Sequence, residues 1–92
     1  MNSVHTDDGS KGRFFIALNG SVAAAMTYTY VGKERIIIDH TEVSDALRGQ
    51  QAGKHLLMQV VGFARKNHLK VLPLCPFAKS MFDKLPDIRD VL

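Results

Sequence analysis

The chain predicts a mixed α/β (α+β) fold: an antiparallel three-stranded meander, then a strand–helix–strand unit, then a short C-terminal helix. Three features carry that prediction. Apolar residues alternate from Arg13 onward and are interrupted by Asn19-Gly20. The period becomes helical after Ser44-Asp45, and a short apolar run from Lys70 to Cys75 follows the helical stretch. A length of 92 residues suffices for one core, expected over residues 12–92 and preceded by a tail at 1–11.

Each element has its own signal. Residues 1–11 contain Asp7-Asp8-Gly9-Ser10 and no apolar periodicity, which predicts a flexible tail. Phe14, Ile16 and Leu18 then alternate with Phe15 and Ala17, and Asn19-Gly20 suits a type I′ hairpin turn. Ser21–Val31 places Val22, Ala24, Met26, Tyr28 and Tyr30 on one face of a long strand. The β-branched run Ile36-Ile37-Ile38 predicts a central strand over Arg35–Val43, buried on both faces. Leu56, Val60, Phe63 and Ala64, flanked by Leu57 and Val61, form the apolar stripe of a helix over residues 50–67, with His55, Gln59, Gly62 and Lys66 facing away. A last strand over residues 70–75 and a helix opened by Pro76 complete the order. In a β-α-β unit the two strands run parallel, so both strand C-termini and the helix N-terminus share one sheet edge. Ligands bind at that edge in open α/β sheets.

Charge distribution points to the same place. No Asp or Glu occurs in residues 46–82, which carry Arg48, Lys54, Arg65, Lys66, Lys70 and Lys79, so an anionic ligand is expected around this helix. Basic residues are not interleaved with aromatics, and nucleic acid is therefore not the expected anion. Cys75 is the single cysteine, and no apolar run approaches the roughly 20 residues of a membrane span, so a cytoplasmic protein with no membrane contact is expected. His5, His40, His55 and His68 are scattered without ligand spacing, and no metal site is expected.

The helix start itself is unusual. No Ser, Thr, Asp or Asn immediately precedes it, so the first amides lack an obvious cap. Arg48 and Lys54 also oppose the positive end of the helix dipole, at about 0.3–1 kcal/mol each. A bound phosphate reverses both penalties; the alternative is a solvated helix start with Gly49 as a modest cap.

Arg48-Gly49-Gln50-Gln51-Ala52-Gly53 resembles the Arg/Gln-x-x-Gly-x-Gly/Ala motif of the GNAT acetyltransferase superfamily, placed between a strand and its main helix. His40-Thr41-Glu42-Val43, the stretch from Val71 to Phe77 and Phe82-Asp83-Lys84 resemble the smallest single-domain GNAT-like proteins, and the likeness covers residues 13–92. The resemblance implies a minimal GNAT-like fold, acetyl-CoA as acyl donor and an unidentified amine as acceptor. It assigns the pyrophosphate of CoA to Leu47, Arg48, Gly49, Gln50, Gln51, Ala52, Gly53 and Lys54. The pantetheine arm falls to Thr41 and Val43, and further lining to Cys75, Phe77 and Ser80. Gln51 replaces the usual motif glycine, which predicts weakened but not abolished binding.

Direct transfer needs a base for the incoming ammonium. His40 and Glu42 lie at the appropriate strand end and on one side of the sheet, either in that role or as an exposed strand-end pair. Cys75 ends the neighbouring strand, where it serves as a His40-activated acyl acceptor or as a small buried hydrophobe. The tyrosine that many GNAT enzymes place on the following helix is missing; Phe77, Met81 and Phe82 stand there instead. A non-catalytic acyl-CoA binder or interaction module is the competing function. The chain is expected to act as a monomer or weak homodimer.

Overall fold

The computed structural model describes residues 2–92. Its centre is a five-stranded sheet in sequence order: β1 (Val4–Asp7), β2 (Lys11–Leu18), β3 (Ser21–Val31), β4 (Arg35–Val43) and β5 (Lys70–Pro73). β1 to β4 are antiparallel, and β5 joins β4 in parallel. Between them, β4 leads through a 3₁₀ turn (Asp45–Leu47) into α1 (Ala52–Lys66). α2 (Pro76–Lys84) and a 3₁₀ helix (Pro86–Val91) close the chain. Asn19 and Gly20 have φ of 52° and 81°, the pair of positive values a type I′ turn requires.

The meander therefore has four strands rather than three, because part of the segment expected as a tail is β1. Residue 1 lies outside the described residues. The polar run Asp7-Asp8-Gly9-Ser10 is the turn of a hairpin: Asp8 Oδ1 accepts from the Ser10 and Lys11 amides, and Asp7 Oδ1 from the Gly9 amide. Side chains anchor the strand. The His5 ring stacks on Phe14 at 3.9 Å and meets Phe63 edge-on. His5 Nε2 lies 2.5 Å from the Tyr28 hydroxyl, which donates to Asp7 Oδ2, as does the Tyr30 hydroxyl. Tyr28 thus belongs to the core. Burial pushes the His5 imidazole below its ordinary value against a smaller upward pull from Asp7. Burial also works to raise the Asp7 carboxyl, but the two tyrosine hydroxyls and the Gly9 amide outweigh it and hold the group low. Both tyrosines are pushed up, by burial first and by their bonds to Asp7 second.

One face of the sheet makes the core. Phe14, Ile16, Ala24, Met26, Tyr28, Ile36, Ile38 and Val71 pack beneath Leu56, Leu57, Val60, Val61 and Ala64 of α1, the stripe that the helical period predicts. α2 and the last 3₁₀ helix contact α1 and extend the same core through Ala78, Phe82, Ile88 and Val91. The residues from Leu85 onward are consequently a packed cap. Arg65 pairs with Asp90 at 2.7 Å, and Arg89 donates to the Phe82 and Asp83 carbonyls.

The other face is bare. Ile37 is half-buried and Leu72 exposed, so β4 is covered on one side only, contrary to the reading of Ile36-Ile37-Ile38 as buried on both. Among the described residues no helix stands over Arg13, Phe15, Thr27, Thr29 or Ile37, because α1, α2 and the closing 3₁₀ helix all serve a single core cluster.

Candidate functional site

Two features at the C-terminal edge of β4 build the site. The first is a separation of strands. β4 pairs with β5 only from Arg35↔Lys70 to Ile38↔Pro73, after which the Leu74 and Cys75 amides both close on the Ile38 carbonyl at 3.2 Å. Residues 39–43 therefore have no β5 partner on that side, and their free backbone edge opens a cleft.

The second is a cavity of about 550 Å³ at the end of this cleft, lined by Val43, Ser44, Leu47, Arg48, Gly49 and Gln51 to Lys54, with Phe77 and Met81 as the opposite wall. The α1 start forms its floor. The first helical bond runs from the His55 amide to the Gln51 carbonyl, and no side chain caps the helix. The Ala52, Gly53 and Lys54 amides are thus free to donate to a ligand. Gly49 and Gln51 are both left-handed, with φ of 80° and 57°. Such a curled backbone gathers successive N–H groups around an anion. The conformation explains why glycine suits position 51, since a side chain there costs on the order of 1 kcal/mol. Gly53 has a separate constraint: a Cβ on it would come within 2.6 Å of the Phe77 ring. Its bare α-carbon is what lets α2 close the cavity.

The charge of this cradle differs from the sequence expectation. Asp45, one residue outside the acid-free stretch, pairs with Arg48 at 2.6 Å and offsets part of its charge. Lys54 forms no ion pair among the described residues. Gln50 lies beside the cavity with its amide on the Leu47 carbonyl. Ser80 does not line the cavity; Met81 does, and Ser44 was also missed. Both are ordinary residues whose role depends on how α2 and the 3₁₀ turn pack, which local sequence does not encode.

His40 and Glu42 come together as predicted, with Nε2 and Oε1 2.9 Å apart and side chains 66% and 75% exposed. Their direction is set by a bulge. Tyr28 pairs with Ile38 but Thr27 pairs with His40, leaving Asp39 as the extra residue of β4. Alternation from Ile36 and Ile38 would otherwise turn His40 into the core. With the bulge, His40 and Glu42 emerge on the open face, and Thr41, opposite Met26, turns inward.

Cys75 is consequently not paired with His40. Its thiol is buried and donates to Thr41 Oγ1 at 3.2 Å, on the helix-covered side. The arrangement in which imidazole activates this thiol is not formed, and the small-hydrophobe alternative describes its setting. His55 is half-buried, not turned fully to water, and its Nε2 lacks a partner.

This geometry has clear relatives. The family model for GCN5-related N-acetyl-transferase matches residues 13–91. Protein NATD1 from Danio rerio is 35% identical over 80 residues, spanning 86% of this chain and 73% of that protein. The human NATD1 is 34% identical over the same length, covering 71% of its own. Among solved structures, a GCN5-like putative N-acetyltransferase from Staphylococcus aureus superposes with a TM-score of 0.72 at 41% identity, covering 96% of this chain and 85% of the other. A ribosomal-protein-alanine N-acetyltransferase from Brucella melitensis shares the fold alone, at a TM-score of 0.70 and 15% identity over 85% of this chain and 62% of that one.

Proposed function

Because the chain belongs to the GCN5-related N-acetyltransferase family, we propose that it transfers an acetyl group from acetyl-CoA to an amine that arrives on the open face of the sheet. One observation carries this reading: the cradle at residues 48–54 and the His40–Glu42 pair meet at residues 39–43, where β4 has parted from β5. The free amides of Ala52, Gly53 and Lys54, with Arg48 and Lys54, suit a pyrophosphate. The unpaired edge of β4 suits the amide-bearing pantetheine arm and offers a backbone N–H to the thioester oxygen. Bound acetyl-CoA supplies the electrophilic carbonyl carbon.

The protein's own part is proton handling and alignment. Glu42 accepts from His40 Nε2–H, which fixes the tautomer and leaves Nδ1 with its lone pair. Nδ1 takes a proton from the acceptor ammonium, and the amine nitrogen attacks the thioester carbon. The C–S bond then breaks with the electron pair leaving on sulfur, and the second proton of the attacking nitrogen passes to that thiolate, giving the amide and the free thiol. No hydroxyl acid lines the cavity wall formed by Phe77 and Met81, and a thiolate with a parent pKa near 8.5 departs without one.

Amide spectra recorded during titration with CoA and acetyl-CoA test the binding step. Residues 48–54 are expected to shift first, and unchanged spectra at millimolar ligand overturn the proposal. Arg48→Glu is expected to weaken CoA at least tenfold, with little effect from Arg13→Glu on the opposite face. For the proton step, Glu42→Gln and His40→Ala are each expected to lower kcat about 10²-fold or more at unchanged CoA affinity.

A further inference from the structure

The open face holds a second cavity, about 560 Å³, whose wall includes Thr27, the cross-strand partner of His40, and which lies on the other side of the sheet from the donor cradle. Strand register fixes its position. Thr6, Arg13, Thr27 and His40 form one row across β1 to β4, all on the uncovered face, and the first three line the cavity. At the His40 end stands Asp39, the extra residue of the bulge. Its Oδ2 accepts from Thr29 Oγ1 at 2.6 Å, which leaves Oδ1 available. At the far end stand Lys11 and Arg13, neither of which forms an ion pair among the described residues. Asp7 and Asp8 also belong to the wall and are already engaged: Asp7 holds the Gly9 amide through Oδ1 and the Tyr28 and Tyr30 hydroxyls through Oδ2, and Asp8 holds the Ser10 and Lys11 amides through Oδ1. The Arg13 guanidinium lies over the Phe15 ring at 4.3 Å. Stacking holds its plane while the N–H donors at its rim stay free for an oxyanion.

The hollow is therefore polar at both ends with opposite signs: a carboxylate beside the base and two unpaired cations two strands away, about 10 Å at a strand spacing near 4.8 Å. We propose that it binds the acceptor, and that the acceptor is a small amine carrying an oxyanion at its other end. The ammonium lies against Asp39 and His40, and the oxyanion on Arg13 and Lys11. This inference rests on the acetyl-transfer reading above. It adds the substrate class and a specificity residue, Arg13. Its volume falls within the roughly 300–1,000 Å³ typical of small-ligand sites.

The protein saturated with CoA is titrated with β-alanine, γ-aminobutyrate, ε-aminocaproate and lysine. Matched alkylamines, aminoalkyl phosphates and polyamines form the other arms. The expected result is a shift of the Thr6, Lys11, Arg13 and Thr27 amides, with the longer aminoalkanoates or aminoalkyl phosphates binding about tenfold or more tightly than alkylamines of equal length. Whichever of those two arms binds better identifies the oxyanion. Arg13→Ala is expected to remove that preference while CoA affinity stays the same, and in turnover to raise KM with kcat unchanged. Alkylamines or polyamines binding as well as their anionic counterparts, an unaltered preference in Arg13→Ala, or no binding of any anionic amine overturns the inference. Failure of the donor reading is visible separately, as missing CoA shifts at residues 48–54 before any amine is added.

Discussion

The two faces of the sheet are made by the same strands and have opposite fates. On the face toward α1, the side chains of β2, β3 and β4 are almost wholly removed from water, with Met26, Tyr28, Ile36 and Ile38 fully buried. On the other, Arg13, His40 and Glu42 are exposed and Thr27 half-buried, with Arg13 over the Phe15 ring and His40 against Glu42. In larger proteins separate layers divide stability from chemistry. Here the division runs between alternate residues of a single strand, and the sheet separates the cavity at the α1 start from the one on the open face.

The sharpest way to break that contrast is to truncate neighbours on opposite faces. Ile38→Ala removes a fully buried side chain and is expected to cost about 2–5 kcal/mol of unfolding free energy. Ile37→Ala, one residue away on the bare face, is expected to cost about 1 kcal/mol or less. Urea denaturation of both variants measures the difference. Equal losses would mean that something covers the open face in solution.

A smaller effect concerns the cradle alone. Gln51 is left-handed with φ of 57°, so Gln51→Gly is expected to gain on the order of 0.5–1 kcal/mol in thermal unfolding. It is also expected to tighten CoA without altering amine binding on the opposite face. A loss of stability would show that the Gln51 side chain contributes more than its backbone conformation costs.

The smallest effect is at the margin where the two faces meet, on β1. Burial lowers the His5 pKa in the fold below the ordinary imidazole value of 6.5, so the folded state prefers the neutral ring. The unfolded chain then binds the proton first as pH falls. Stability from this group is complete above about pH 6.5 and declines below it. His5→Phe keeps the ring on Phe14 and is expected to flatten the pH dependence of the melting temperature just below that value. An unchanged slope would assign the dependence to the carboxylates.

Much of this was legible in the sequence where a local rule operates alone. The limits of β3, β4 and α2, the Asn19-Gly20 turn and the buried stripe of α1 follow from period and turn chemistry. The glycine-bearing helix start was legible too, and the cavity lies where the β-α-β argument puts a ligand. What escaped depends on contacts distant in sequence. β1 has no apolar pattern of its own; it is a strand because His5 finds Phe14 and Asp7 finds two tyrosine hydroxyls. The closing 3₁₀ helix is held by Arg65 reaching Asp90 across the core's edge. The separation of Cys75 from His40 turns on Asp39, whose place outside the ladder leaves no mark in the local pattern.

That one unpaired residue has a wider meaning for so short a chain. A strand is a two-letter alternation, and whatever parity its first residues adopt is normally binding on its last. Asp39 inverts the parity midway. Upstream, every second residue is committed to holding the protein together; downstream, the same phase would have buried an imidazole and a carboxylate under a helix. By slipping one count, β4 carries two independent messages in nine residues, and the strand that builds the core also delivers the His40–Glu42 pair to the open face.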